Sequence, residues 1–386
     1  MLKLRALFEK MIIVNSDIVL SVYIDTDPTV VGRNRSAAMI WLKDSLKNTR
    51  KDISSGLQKE FDALQKKVLE EAKHHISTGK SLIMFASADF FEISQPKVNV
   101  KNEIWWGKPS LGQAEWILEE YRNYGIVKVD SEKLHYYIIG LNEVIDEWEE
   151  KIGEDTLAWQ VKHLKPEAFL REKAIPGLRG GDQKEIVERH ISEEVQKFWK
   201  SSSPAIENIK KSFGVKEIII AGLDTQADLY QKCISINGIK IIGKITTTKE
   251  LNINDFLTSA QNIIKEHEKE LEKKLIDEIN NKSGGNAAAS LGLKPALRII
   301  QEGRASTIAI KHNLDTILLE CRDCTYVLPN DSVECIKCSS KNLRIGSMKS
   351  LLPPLLRKYK TQLNIISHHI PEEIIRHDGI GVLWRY

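Results

Sequence analysis

The chain has 386 residues, 42% hydrophobic and 28% charged, and its 56 basic and 53 acidic residues leave a net charge of +3. This is the composition of a globular protein, not of a disordered, fibrous or membrane-spanning one. Near-neutrality excludes a global field for polyanions, so any nucleic-acid surface has to be a local patch. No stretch approaches the roughly 18 apolar residues that cross a bilayer, and charges interrupt every apolar run of "MLKLRALFEKMIIVNSD". No signal peptide and no membrane partner are therefore expected, and the expected location is cytoplasmic.

In chain order, "IVLSVYIDT" predicts a strand that Asp25 to Pro28 ends, and "RSAAMIWLKDSLKNTRKDI" predicts a helix. Leu57, Phe61, Leu64, Val68 and Ala72 recur at helical spacing, so a second helix follows, and "SLIMFAS" predicts a buried strand. The first hundred residues thus read as a β-α-α-β unit. "GQAEWILEEYRNY" predicts a short helix, and "GIVKVDSEKLHYYIIG" predicts a hairpin about a polar turn. The acid run "NEVIDEWEEKIGED" reads as a solvated face, and about 150–183 reads as a long irregular stretch. A helix from Gln183, a helix over "PAIENIKKSF" and a strand over "VKEIIIAG" describe a mixed sheet with helices packed on it.

A long amphipathic helix then runs into "NNKSGGNAAAS", the best linker in the chain. Beyond it, "LKPALRIIQEGRAS" predicts a helix and "DTILLE" a strand. "SLLPPLLRKYKTQ" predicts a helix broken near its prolines, and "LNIISHH" and "GIGVLWRY" predict strands. The fold class expected is α/β (α+β) in three small domains, at 1–105, 106–282 and 283–386.

Two patterns carry chemistry. Cys321, Cys324, Cys335 and Cys338 form two Cys-x-x-Cys knuckles ten residues apart. Each knuckle can give two thiolates to one tetrahedral Zn²⁺, and four thiolates leave no open position, so the expected role is structural, in a zinc ribbon. The second pattern is the glycine-rich "IPGLRGGDQKEIVERH". From Trp159 to Lys184 the basic residues Lys162, Lys165, Arg171, Lys173, Arg179 and Lys184 outnumber Glu167, Glu172 and Asp182, giving +3 within a stretch that ends at Gly180 and Gly181. Such a stretch suits a phosphate backbone, and its glycines permit close approach. Asp182 stands where a helix N-cap would. Arg33 and Arg35, at the start of the first helix, are further candidates for RNA phosphate. The adjacent pairs His74-His75 and His368-His369 read as surface residues, Cys233 as core filler.

The order of these parts resembles the archaeal/eukaryotic class-I peptide release factor superfamily, and more closely its bacterial and archaeal release-factor-like branch. The resemblance rests on "VLSVYIDTDP" in a first domain, a basic loop ending in Gly-Gly-x-Gln before a charged helix, a four-cysteine insertion in a third domain, and the terminal "GIGVLWRY". It covers essentially the whole chain. It implies a first domain at the decoding centre, a central RNase-H-like domain, and a third domain like a kink-turn RNA-binding ribosomal protein. Gly181, Asp182 and Gln183 then occupy the Gly-Gly-Gln positions that enter the peptidyl transferase centre. A related ribosome-quality-control hydrolase carries Gly-Ser-Gln there. Stop-codon readers carry Asn-Ile-Lys-Ser between two helices. "GRNRS", Gly32 to Ser36, lies between a strand and a helix instead, so stop-codon reading is not expected.

The resemblance implies a monomer with the ribosome as partner, through rRNA and the tRNA acceptor end. A GTPase would be a separate protein, because the chain has no Walker-type loop. Three functions remain open: A-site occupancy in hibernation or stress, peptidyl-tRNA hydrolysis in rescue, and binding of a structured RNA away from the ribosome.

Overall fold

The computed structural model describes residues 2–27, 35–76, 79–141, 143–153, 193–234, 238–246, 253–283, 288–314, 316–368, 372 and 376–385. They form two compact units, one of Met1–Tyr121 with Lys269–Tyr386 and one of Arg122–Glu268. None of the described helices is long and apolar enough to cross a membrane.

The first unit begins with α1 (Leu2–Ile12), β1 (Val19–Asp25), α2 (Arg35–Lys51), α3 (Gln58–His75), β2 (Ser81–Ala86), β3 (Phe91–Ser94), β4 (Glu103–Gly107) and α4 (Gly112–Glu120). The strands form one antiparallel sheet in the order β3-β2-β1-β4. Alternation along β1 sends Leu20, Val22 and Ile24 to one face, where they pack with Leu42 and Leu46 of α2 and with Phe61, Leu64 and Val68 of α3. The expected β-α-α-β unit is present. Helix α1 and strands β3 and β4 add to it.

The second unit holds β5 (Tyr124–Val129), β6 (Lys133–Gly140), β7 (Glu143–Lys151), α5 (Ser203–Phe213), β8 (Glu217–Gly222), α6 (Asp224–Cys233), β9 (Lys240–Thr246) and the first half of α7 (Ile253–Ser283). Its sheet runs β7-β6-β5-β8-β9 and is mixed: β5–β6 and β6–β7 are antiparallel, β5–β8 and β8–β9 parallel. The acid run expected to be a solvated face is edge strand β7. Among the described residues no further strand pairs with it, and its charges are a known guard against edge-to-edge pairing, while Trp148 stacks on Tyr136 at 5.1 Å. On the opposite face Phe256, Ala260 and Ile264 of α7 pack against Tyr124, Ile126, Ile219 and Ala221.

The last third contains β10 (Ala289–Leu291), α8 (Leu293–Gln301), β11 (Ala305–Lys311), β12 (Ile317–Cys321), β13 (Val327–Pro329), β14 (Leu343–Ser347), α9 (Met348–Lys358), β15 (Gln362–Ile366) and β16 (Ile380–Trp384). The main sheet is β10-β16-β11-β15, and β13-β12-β14 form a separate ribbon between β11 and α9. Helix α8 stops earlier than its periodicity predicts. Gly303 takes φ +74°, its N–H donates to the Ile300 carbonyl, and Arg304 N–H reaches back to Ile299, a Schellman ending that frees 305–311 to be a strand.

Helix α9 continues through Pro353 and Pro354, where a break is expected. Pro354 has no N–H for the Ser350 carbonyl four residues back. Against that carbonyl packs Gly112, the first residue of α4: a Cβ there would sit inside the van der Waals contact distance of the Ser350 oxygen. The close approach admits Trp116 of α4 and Trp105 of β4 into the core of the last third, beside Leu297, Ile300, Ile308 and Leu351. Residues 106–121, assigned from sequence to the central domain, pack here.

Gly112→Ala is expected to destabilise the first unit by about 1–3 kcal/mol or more through overpacking. Gly56→Ala, where nothing lies within 4 Å of the added carbon, supplies the control. Urea unfolding followed by tryptophan fluorescence compares the two, and equal midpoints would remove this account of the interface.

Candidate metal centre

The site is built by two copies of one backbone device. In the first knuckle, Thr325 N–H donates to the Cys321 carbonyl at 2.9 Å and Cys321 N–H donates to the Tyr326 carbonyl at 2.9 Å. In the second, Ser339 N–H donates to the Cys335 carbonyl at 2.7 Å and Cys335 N–H to the Ser340 carbonyl at 2.8 Å. The residue after each second cysteine is left-handed: φ is 59° at Thr325 and 58° at Ser339. That conformation costs roughly 1–2 kcal/mol for a residue with a Cβ. It turns each chain back on itself so that both thiols of a knuckle point one way.

The four sulfurs converge. Cys321 and Cys338 lie 3.6 Å apart, and Cys324 lies 3.5 Å from both Cys335 and Cys338. All four Sγ atoms lie within 4.8 Å of one another. A disulfide needs about 2.05 Å. A tetrahedron of sulfurs about 2.3 Å from a central ion has edges of about 3.8 Å. The spacing therefore fits four thiolates about one metal ion and does not fit two disulfides. All-sulfur donors suit a soft or borderline ion and are compatible with zinc.

The protonation of the thiols points the same way. Burial pushes the Cys321 thiol up, but backbone N–H donation in its knuckle and the neighbouring thiols outweigh it and bring the group down to about 7. At Cys338 the Ser340 N–H favours the thiolate, yet the crowding thiols and burial push the group up to about 12. Burial, first of all, raises Cys324 as well. Without a cation the raised thiols of Cys324 and Cys338 stay protonated near neutrality, and a bound dication is what lets all four ionise.

Hydrogen bonds from one knuckle to the other lock the pair. Asp323 accepts from the Ser340 hydroxyl at 2.5 Å and from the Asn342 amide at 3.0 Å, and these bonds hold its carboxyl below the usual range. Arg322 N–H donates to the Asn342 carbonyl. Leu319 and Leu328 of the ribbon pack against Cys321 and Cys335. Spacing identifies the four ligands, but nothing in the sequence singles out Asp323, Ser340 and Asn342. Val333 and Ile336, beside the second knuckle, are 83% and 75% exposed.

Lys162, Lys165, Arg171, Lys173, Arg179, Gly181, Asp182, Gln183 and Lys184 lie outside the described residues, as does Arg33. Arg35 opens α2, its side chain outside the described set. The flanks of the glycine-rich stretch are described, and both are tied to the β5–β6 turn. Ile152 N–H donates to the Glu132 carbonyl at 2.9 Å, and the Trp199 indole N–H donates to the Asp130 carbonyl at 3.0 Å. His74 is exposed, and His75 lies 3.6 Å from Glu71.

Solved structures similar to this chain are release-factor-like proteins. An archaeal translation termination factor, aRF1, is 13% identical, with 100% of this chain and 97% of that one covered and a TM-score of 0.26. Dom34 of S. cerevisiae, described as a translation termination-like factor, is 13% identical over 80% of this chain and 73% of its own, with a TM-score of 0.41. The Thermoplasma acidophilum Pelota protein is 15% identical over 79% and 80%, with a TM-score of 0.23. No family model matches the chain, and no curated protein matches it.

The purified chain is expected to take up one metal ion. Because the Cys324 and Cys338 thiols are raised and protonated at pH 7, uptake releases protons, and apparent affinity rises with pH as the thiols ionise. Calorimetry in buffers of differing ionisation enthalpy reads the release, and elemental analysis reads the stoichiometry. Cys321→Ser/Cys324→Ser, measured the same way, is expected to lose the ion. Full metal retention by that variant would place the ion elsewhere.

Proposed function

We propose that this protein is a ribosome-binding translation factor of the release-factor-like kind. It enters the A site with Gly181, Asp182 and Gln183 near the peptidyl transferase centre, in hibernation or rescue and not in stop-codon reading. The observation that carries the reading is the order of parts: a glycine-tipped basic stretch issuing from a central α/β unit, then a four-cysteine ribbon set into a final α/β layer. The anchoring of Ile152 and Trp199 to one hairpin turn supports it, because a stretch that must reach a distant target needs a fixed base.

In this reading Cys321, Cys324, Cys335 and Cys338 hold Zn²⁺ with no open position, and the ion supplies rigidity. Lys162, Lys165, Arg171, Lys173, Arg179 and Lys184, with Arg33 and Arg35, neutralise RNA phosphate. The protein works as a monomer in the cytoplasm. Any GTP hydrolysis belongs to a partner.

Asp182 decides between occupancy and chemistry. A carboxylate beside an ester oxygen that is gaining negative charge opposes hydrolysis. Turned back to cap the helix that follows, it leaves Gln183 and the Gly181 backbone free to position water, and rate would then come from positioning and preorganised dipoles.

Two measurements test the proposal. Co-sedimentation with idle and stalled ribosomes is expected to show association, and absence from both would falsify ribosome binding. Peptide release from stalled ribosome–nascent-chain complexes then separates the readings. Release by the wild type and not by Gln183→Ala identifies a hydrolase, whereas binding without release identifies an occupancy factor.

A further inference from the structure

We infer that the exposed flank of α2 is a track for the phosphate backbone of duplex RNA, with Lys43, Lys47 and Lys51 as its cations. The inference deepens the ribosome-binding reading by naming a surface and its chemistry, and its test is separable from that reading.

Helix α2 is inward-facing along Ala38, Leu42 and Leu46, which join the core of the N-terminal sheet. Beside that stripe, Lys43, Lys47 and Lys51 are exposed at intervals of four residues. At 1.5 Å per residue they stand about 6 Å apart along the axis and span about 12 Å. The helix carries five basic residues, Arg35, Lys43, Lys47, Arg50 and Lys51, against Asp44 alone.

The neighbouring cations show why this flank differs. Arg50 is occupied by a two-pronged contact with Asp62, at 2.6 and 2.9 Å. Helix α3 carries four lysines and four acids and sums to zero before its histidines, so it lacks the net positive charge of α2. Two cations each of α1 and α9 are matched by acids: Arg5 by Glu9, Lys10 by Glu92, Lys349 by Glu120 and Arg357 by Glu115. Lys43 and Lys47 have no acidic partner among the described residues, and Lys51 reaches only the amide of Asn48.

The residue types select the partner. Lysine is a mobile point charge, suited to sequence-independent phosphate contact and not to bidentate recognition. Regular spacing fits an anion that itself repeats. The aromatic residue of the helix, Trp41, packs toward the core, which leaves no ring on the flank for stacking unpaired bases. The flank therefore suits the outside of a duplex.

Fluorescence anisotropy of the full chain with a labelled RNA duplex of about 20 base pairs tests this, between 50 and 200 mM salt. In the triple variant Lys43→Gln/Lys47→Gln/Lys51→Gln, the slope of log affinity against log salt is expected to shrink by about 2–3, and affinity in low salt to fall by about 10-fold or more. The matched variant Lys59→Gln/Lys66→Gln/Lys73→Gln removes the same charge from α3 and is expected to stay within about twofold of wild type. A triple Lys→Arg variant on α2 is expected to retain binding, which separates charge from folding. Equal loss in the α2 and α3 variants, no duplex binding by the wild type, or displacement by polyglutamate as effective as by unlabelled duplex would each overturn the inference. Co-sedimentation of the same proteins with ribosomes is scored separately, so a failure of ribosome association leaves the duplex result standing.

Discussion

Gly112 lacks a side chain, and the union of the first and last parts of the chain into one unit depends on that lack. Its backbone lies against the Ser350 carbonyl, which Pro354 leaves without an intrahelical donor. Around this point Glu103 joins the two parts: it accepts from Ser347 N–H at 2.9 Å, from the Gln113 amide at 3.0 Å, from the Trp105 indole at 3.1 Å, and from the Ser350 hydroxyl. Trp105 and Trp116 then bury apolar surface in a core that is otherwise built from residues 296–382. Buried tryptophan supplies the area; the carboxylate and the glycine fix where it is placed. The main sheet and the cysteine ribbon are therefore mounted on a base that includes the N-terminal sheet.

The metal centre rests on that base and carries its own strain. Two residues with side chains adopt the left-handed region, at roughly 1–2 kcal/mol each, and thiols crowd to 3.5–3.6 Å. Neither feature stabilises a metal-free loop. Metal binding in structural zinc sites is worth on the order of 10 kcal/mol, enough to offset both. The hydrogen bonds of Asp323 to Ser340 and Asn342 align the knuckles with each other, so the four sulfurs converge where an ion would bind.

Much of this was legible in the residues. The Cys-x-x-Cys spacing named the four cysteines that converge, helical periodicity found α3, and the turn between Val129 and Lys133 gave the β5–β6 hairpin. What was missed has physical causes. Strand β7 was hidden because an edge strand tolerates charge on its open side, so the acid run masked its alternation. Strand β11 was hidden because apolar periodicity carried the α8 helix past Gly303, where only the Schellman bonds show the stop. The prolines of α9 signal a break, yet the helix runs through them, with Gly112 packed against the carbonyl that Pro354 leaves open. Thr325 and Ser339 gave no warning of positive φ, since neither residue type prefers it and only the knuckle geometry imposes it.

Charge follows the same local logic. The whole chain is near neutral, but its signs are sorted by element. Strand β7 carries Glu143, Asp146, Glu147, Glu149 and Glu150 against Lys151, and α2 carries the reverse excess. A uniformly cationic protein would adhere to any polyanion without regard to orientation. Each unit therefore carries its own local field: α2 favours a polyanion and β7 disfavours one, whatever the net charge of the chain. A net charge of +3 is then the sum of two opposed local demands and not evidence against binding RNA.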